Sequence, residues 1–121
     1  MSGLQYAMYY AAEVMSKECP GVRLTYSKDR SDIASAANGK YAEYNLPIRL
    51  SAGKVRFSCI KSGKPAKGYI FVGTYETNDI WGVLYLFGTF ATSSKINEAM
   101  SILSNEIKTF KENPQWVAMN A

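Results

Sequence analysis

DIWGVLYLFGTFATSSKINEAMSIL, residues 79–103, joins a charge-free apolar run to a helical pattern, and its reading decides the fold. The run from Ile80 to Ala91 is broken by Gly82, Gly88 and Thr89. It falls short of the roughly 20 apolar residues that a membrane helix needs, so it does not span a bilayer. At period two, Trp81, Val83, Tyr85 and Phe87 fall on one face and Leu84, Leu86 and Phe90 on the other. A strand apolar on both faces needs a helix layer on one side and further cover on the other. Thr92, Ser93 or Ser94 then caps a helix over about 94–111, with Ile96, Ala99, Met100, Leu103, Ile107 and Phe110 as its apolar stripe. Pro114 ends that helix, and Trp116 follows it. The stretch therefore predicts a central sheet strand running into the helix that covers it.

Upstream, the chain from residue 47 to residue 90 is β in character. PIRLSAGKVRFSCI (47–60) reads as a hairpin around Ala52-Gly53 with Val55, Phe57 and Cys59 inward. SGKPAKG (62–68) is basic turn chemistry. YIFVGTYE (69–76) pairs with WGVLYLFGTF (81–90) across Asn78-Asp79. At the N-terminus, LQYAMYYAAEVMSK (4–17) sets Leu4, Ala7, Met8, Ala11, Val14 and Met15 along one side of a helix that Pro20 and Gly21 stop. VRLTYSK (22–28) alternates as a half-buried strand. SDIASAANG (31–39) reads as a short helix capped by Ser31 and closed by Gly39, and residues 40–46 as a loop or short edge strand.

The bulk numbers fit one folded domain spanning 1–121: hydrophobic residues make up 47% and charged residues 20%. The N-terminus lacks the basic, apolar and small-residue regions of a secretory leader. Without that leader, Cys19 and Cys59 are expected as reduced, partly buried thiols rather than a disulfide. Histidine is absent, which removes Ser-His-Asp and Cys-His catalysis and every His-based metal site. No spacing points to lysine or carboxylate catalysis, so the expectation is a binding protein and not an enzyme, with no cofactor and no metal. The net charge of +4 is unevenly spread: between Tyr44 and Tyr75 lie Arg49, Lys54, Arg56, Lys61, Lys64 and Lys67 and no acidic residue. Such a block suits an acidic partner.

The element order and length resemble profilin. MSGLQYAMYYAAEVM (1–15) is similar to that family's N-terminal amphipathic helix. SGKPAKGYIFVGTYETNDIWGVLYLFGTF (62–90) is similar to its basic Gly-rich turn and the two strands after it, and SSKINEAMSILSNEIKTF (93–110) to its closing helix. The resemblance implies an α+β fold: a central antiparallel sheet of five to seven strands with the N- and C-terminal helices packed on one face. It further implies a cytoplasmic, cytoskeleton-associated monomer that binds monomeric actin and regulates its polymerisation. Proline-rich peptides and the acidic head groups of phosphoinositides would be further ligands. By position the actin-facing residues would be Lys61, Lys64, Lys67, Tyr69, Lys95 and Asn97. Tyr6, Tyr9 and Tyr10 on the first helix, with Trp116 beyond the last, would form the polyproline groove. Leu4 stands about where the family carries a tryptophan.

Two other classes fit the same residues. A basic sheet bearing Phe57, Tyr69, Phe71 and Tyr75 beside Arg56 is what stacking on single-stranded DNA or RNA asks for. A small inhibitor or adaptor that binds another protein leaves no sequence signature. The face that these aromatics occupy separates the readings. Burial beneath both terminal helices fits the profilin-like one, and exposure beside Arg56 fits nucleic acid.

Overall fold

The computed structural model describes residues 1–93 and 95–111, the last three as backbone only. In chain order it forms α1 (Gly3–Tyr10), a π-helical turn (Ala11–Met15), α2 (Ser16–Glu18), β1 (Arg23–Asp29), a 3-10 turn (Ser31–Ala34), α3 (Ser35–Glu43), β2 (Ile48–Lys61), β3 (Lys64–Thr77), β4 (Ile80–Thr92) and α4 (Ile96–Lys111). The class is α+β, as expected. Among the described residues its sheet is an antiparallel meander of four strands in the order β1-β2-β3-β4, where five to seven were anticipated.

The shortfall traces to two segments. Residues 48–61 form one unbroken strand where a hairpin around Ala52-Gly53 was expected. Gly53 serves close packing and not a turn: a Cβ there would collide with the backbone of Leu4, so glycine lets α1 press onto the sheet. Residues 40–46, expected as a loop or edge strand, instead begin inside α3, which runs through Gly39 to Glu43. Ser31 caps no helix. Its hydroxyl lies 3.3 Å from the Ala52 N–H and 3.4 Å from Ser51 Oγ, so it serves the sheet.

The β2–β3 register places Val55 opposite Ile70, Phe57 opposite Gly68 and Cys59 opposite Ala66. These side chains form the core face, and Ala7, Ala11, Met15 and Cys19 of the N-terminal helical segment cover it. Each is four residues from the last, a stripe that runs through the π-turn; Met8, expected inward, is 39% exposed. Ser2 opens α1 with a capping box, its hydroxyl accepting from Gln5 N while Gln5 Oε1 accepts from Ser2 N. Cys19 and Cys59, expected as thiols, form a disulfide with Cα atoms 5.6 Å apart. They are juxtaposed because the end of the N-terminal helical segment packs over the end of β2 on the core face.

The second face carries Tyr26, Lys54, Arg56, Lys67, Tyr69, Phe71 and Tyr85. Residues of α4 share clefts with Tyr26, Lys54, Arg56, Lys67, Tyr69 and Phe71, so α4 lies on this side. The terminal helices therefore sandwich the sheet from opposite faces rather than sharing one. The physical cause was visible in the quoted stretch: a sheet apolar on both faces requires cover on both. Ile96 and Leu103 of the expected α4 stripe are buried, and Phe110 lies outside the residues with described side chains. Ser94, one of the candidate caps, also lies outside the described residues.

Among the described residues the strand from Ile80 is an edge strand, not a central one. A register shift opposite Gly73/Thr74 inserts Leu84 as an extra residue. Trp81 and Val83 consequently join Leu86 and Phe90 on the core face, while Tyr85 and Phe87 turn to the α4 face. Strict alternation had put Trp81, Val83, Tyr85 and Phe87 together. A bulge breaks that pattern without leaving a mark in the sequence.

Candidate functional site

The basic block of the sequence divides between two places. Lys61 and Lys64 flank the β2–β3 turn, where Ser62 and Gly63 both take positive φ, 52° and 75°. Lys61 Nζ donates to the Glu18 carbonyl at 2.9 Å and sits 5.7 Å from the Phe90 ring centre, which fastens it beside the core face. Lys54, Arg56 and Lys67 point the other way, by the period-two rule, onto the α4 face.

On that face two clefts lie in line along α4. The first, of about 460 Å³, is lined by Tyr26, Arg56, Lys67, Asn97 and Met100 among others. The second, of about 590 Å³, is lined by Arg30, Lys54, Tyr69, Phe71, Ser104, Ile107 and Lys108. Tyr26 stands at the junction, 42% exposed. Its ring has Lys54 Nζ 5.7 Å and Arg56 Cζ 5.3 Å from the centroid, one aromatic ring shared by two cations. Tyr26 faces Arg56, and Lys28 faces Lys54, because the β1–β2 register shifts between Leu24 and Tyr26.

Cations outnumber anions here. Arg30 is held by Asp32, Nε to Oδ1 at 3.0 Å, and this hydrogen-bonded pair raises the guanidinium's pKa and lowers the carboxyl's. Among the described residues Lys54 has no such ion pair. Burial, followed by the charges of Arg30, Arg56 and Lys28, lowers its pKa, and the charge of Asp32 opposes them. Burial raises the Tyr69 hydroxyl's pKa while Arg56 and Arg30 pull it back, and burial pushes Tyr85 up to about 12. A cluster of protonated groups repelling one another beside an aromatic wall is a ready receptor for an anion bearing a flat ring.

The expected actin-facing residues are partly brought together. Lys67 and Asn97 line the first cleft and Tyr69 the second. Lys64 and Lys95 are exposed near the sheet end where Ser93 N donates to the Pro65 carbonyl at 3.3 Å. Lys61 is set apart on the core-face side by its bond to Glu18. Of the expected polyproline residues, Tyr6 packs against Tyr9 and Tyr10 with ring centroids 5.7 and 6.3 Å away, and Trp116 lies outside the described residues. The indole that meets Tyr6 is Trp81, 6.0 Å away edge to face. Since α4 is on the opposite face of the sheet, these tyrosines do not lie in a groove between the described parts of the two terminal helices.

Of the four aromatics expected to stack on nucleic acid, Phe57 is buried under α1 and Phe71 is 3% exposed and stacked on Tyr85 at 5.9 Å. Tyr75 lies over Gly82, and Tyr69, half-buried, lines the second cleft beside Phe71. Tyr26, Arg30 and Lys108 were not singled out from the sequence. Tyr26 could have been found had the alternation of VRLTYSK been tied to that of KVRF, but only the register shows that they meet. Among the described residues, no group of three or more His, Cys, Asp or Glu could hold a metal, and no helix is long and apolar enough to cross a membrane. No protein-family model, curated protein sequence or solved structure matches this chain.

Proposed function

We propose that the chain is a binding module for single-stranded nucleic acid, held in the clefts between α4 and the basic sheet face. The observation that carries this reading is the Tyr26, Lys54, Arg56 constellation, an exposed ring flanked by two cations whose like charges an incoming phosphate would relieve. A base stacks on Tyr26 or Tyr69 while Arg56, Lys54 and Lys67 meet the backbone. Arg30 and Lys108 extend the track along the second cleft. Stacking on an aromatic ring and neutralising phosphates respond to charge and ring rather than to sequence.

Anisotropy of a fluorescently labelled oligothymidine tests it. Binding should weaken with salt with a slope of about −2 to −3, for three or four phosphates at roughly 0.7 each. The double variant Lys54→Glu/Arg56→Glu should abolish binding. Absence of binding by the parent protein at low salt would remove the proposal.

Actin-monomer binding is the second reading, and the grouping of Lys64, Lys67, Lys95 and Asn97 toward one end of the molecule supports it. A basic surface of this kind would mainly raise the rate of association with an acidic partner. It would also attract phosphoinositide head groups. Slowed actin polymerisation that Lys64→Glu/Lys67→Glu relieves is the result this reading requires. The Cys19–Cys59 bridge favours an oxidising compartment over the cytoplasm, which weighs against this second reading.

A further inference from the structure

The sheet has two edges, and the chain treats them differently. β1 is short, carries Arg23, Lys28 and Asp29, and is bulged between Leu24 and Tyr26, the devices that keep an edge from pairing. Where β1 ends, other groups occupy the outer side of β2. Arg30 N donates to the Ala52 carbonyl, Ser31 Oγ accepts from Ala52 N, and Asn38 takes both backbone groups of Leu50. The opposite edge is β4, 13 residues long without a charge or a proline. Among the described residues no strand pairs with its outer side. Ile80 is 65% exposed, Trp81 41% and Val83 38%.

We infer that β4 pairs antiparallel with β4 of a second copy of this chain, forming a twofold dimer with one continuous eight-stranded sheet. A second copy is the occupant that this edge fits. An uncharged strand opposes its own image without like-charge repulsion, and it offers no charge pattern by which a different strand would be selected. The length is sufficient: 13 residues at about 3.4 Å span roughly 44 Å, enough for a full antiparallel ladder.

The geometry of the ladder fixes what the dimer presents. Local twofold axes between antiparallel strands stand perpendicular to the sheet, so equivalent faces of the two copies lie on the same side. Both α4 clefts, with Lys54, Arg56 and Lys67, then open on one side of the dimer. The dimer does not depend on what those clefts bind, and it replaces the monomer expected from the sequence.

The register also identifies the variant that tests the pairing. Thr77 and Ile80 close a two-residue turn as a hydrogen-bonded pair, so the N–H groups of Trp81 and Val83 point away from β3. Val83→Pro deletes an outward donor without touching the β3–β4 ladder, whereas Val83→Ala keeps the donor. Gly88→Lys adds a charge near the middle of the edge. A Cβ there meets only ordinary contacts, 3.7 Å to Ile70 Cγ1 and 3.8 Å to the Tyr69 carbonyl, so the monomer tolerates it.

Sedimentation velocity from about 1 to about 300 µM reads the outcome by mass action. The parent and Val83→Ala should dimerise. Val83→Pro and Gly88→Lys should weaken the dimer tenfold or more while melting cooperatively. A parent that stays monomeric throughout overturns the self-pairing and leaves the edge to a foreign strand. A Gly88→Lys protein that dimerises as the parent does overturns the use of this edge.

Discussion

The side-chain amide of Asn38 makes both backbone hydrogen bonds of Leu50, donating to its carbonyl at 2.8 Å and accepting from its N–H at 2.7 Å. One residue of α3 thus stands in for a neighbouring strand just where β1 has ended. Asn38→Ala leaves two partly buried backbone groups of β2 without their partner, a loss of about 1–3 kcal/mol by urea denaturation. Asn38→Asp separates the two bonds, because a carboxylate accepts from the N–H but cannot donate to the carbonyl. Its stability should fall while the Leu50 amide stays protected from hydrogen exchange. Loss of that protection in Asn38→Asp would contradict the assignment.

The Cys19–Cys59 bridge closes a loop with a sequence separation of 40 residues and ties the N-terminal helical segment to the end of β2. Chain entropy alone gives such a crosslink about 4 kcal/mol. Cys19→Ala/Cys59→Ala should therefore melt roughly ten degrees or more below the parent. Both cysteines are buried, at 0% and 3% exposure, so thiols are counted in denaturant, where none should be found in the parent until a reductant is added. A full count of two reactive thiols without reductant would show the bridge unformed.

The α+β class, the two helix-forming ends and the Asn78-Asp79 hairpin were legible because each depends on local period and turn chemistry. Asn78 indeed takes a positive φ of 54°. The unbroken β2 was not legible, because a glycine reads alike as turn and as contact, and only the approach of Leu4 distinguishes them. The face occupied by each terminal helix was half legible. The doubly apolar β4 demanded cover on both sides, but the bulge at Leu84 that sorts its side chains depends on pairing with β3. The candidate site was the least legible part. Lys54, Arg56 and Lys67 stood out as charge, whereas Tyr26 and Arg30 join them only through the shifted β1–β2 register.

Phe57 lies across Gly68 on the neighbouring strand, its ring occupying the space where a Cβ would stand. Phe57 is 1% exposed and has no room to withdraw. Gly68→Ala should cost about 1–3 kcal/mol through overpacking. Combining it with Phe57→Leu should recover part of that loss, because the smaller side chain vacates the space. The signature is a double variant more stable than the sum of the singles predicts. Strict additivity would mean that the ring is not what excludes the methyl.

Lys54 should trade stability for binding. Its pKa is lowered in the folded protein by burial and by Arg30, Arg56 and Lys28, so the charged ammonium opposes folding. That destabilisation is complete at pH values below the folded pKa. It is relieved as the pH rises from there toward the unfolded value of 10.5. Lys54→Met keeps the apolar stem and removes the charge. At neutral pH it should be more stable than the parent by a few tenths of a kcal/mol, given the partial exposure of the site. The advantage should shrink in alkaline solution as the parent's lysine loses its proton. The same variant should bind oligothymidine more weakly, with a salt slope shallower by about 0.7, one phosphate contact fewer. Opposite signs in the two measurements would mark Lys54 as kept for its ligand and not for the fold. A Lys54→Met protein that binds as tightly as the parent would remove it from the site.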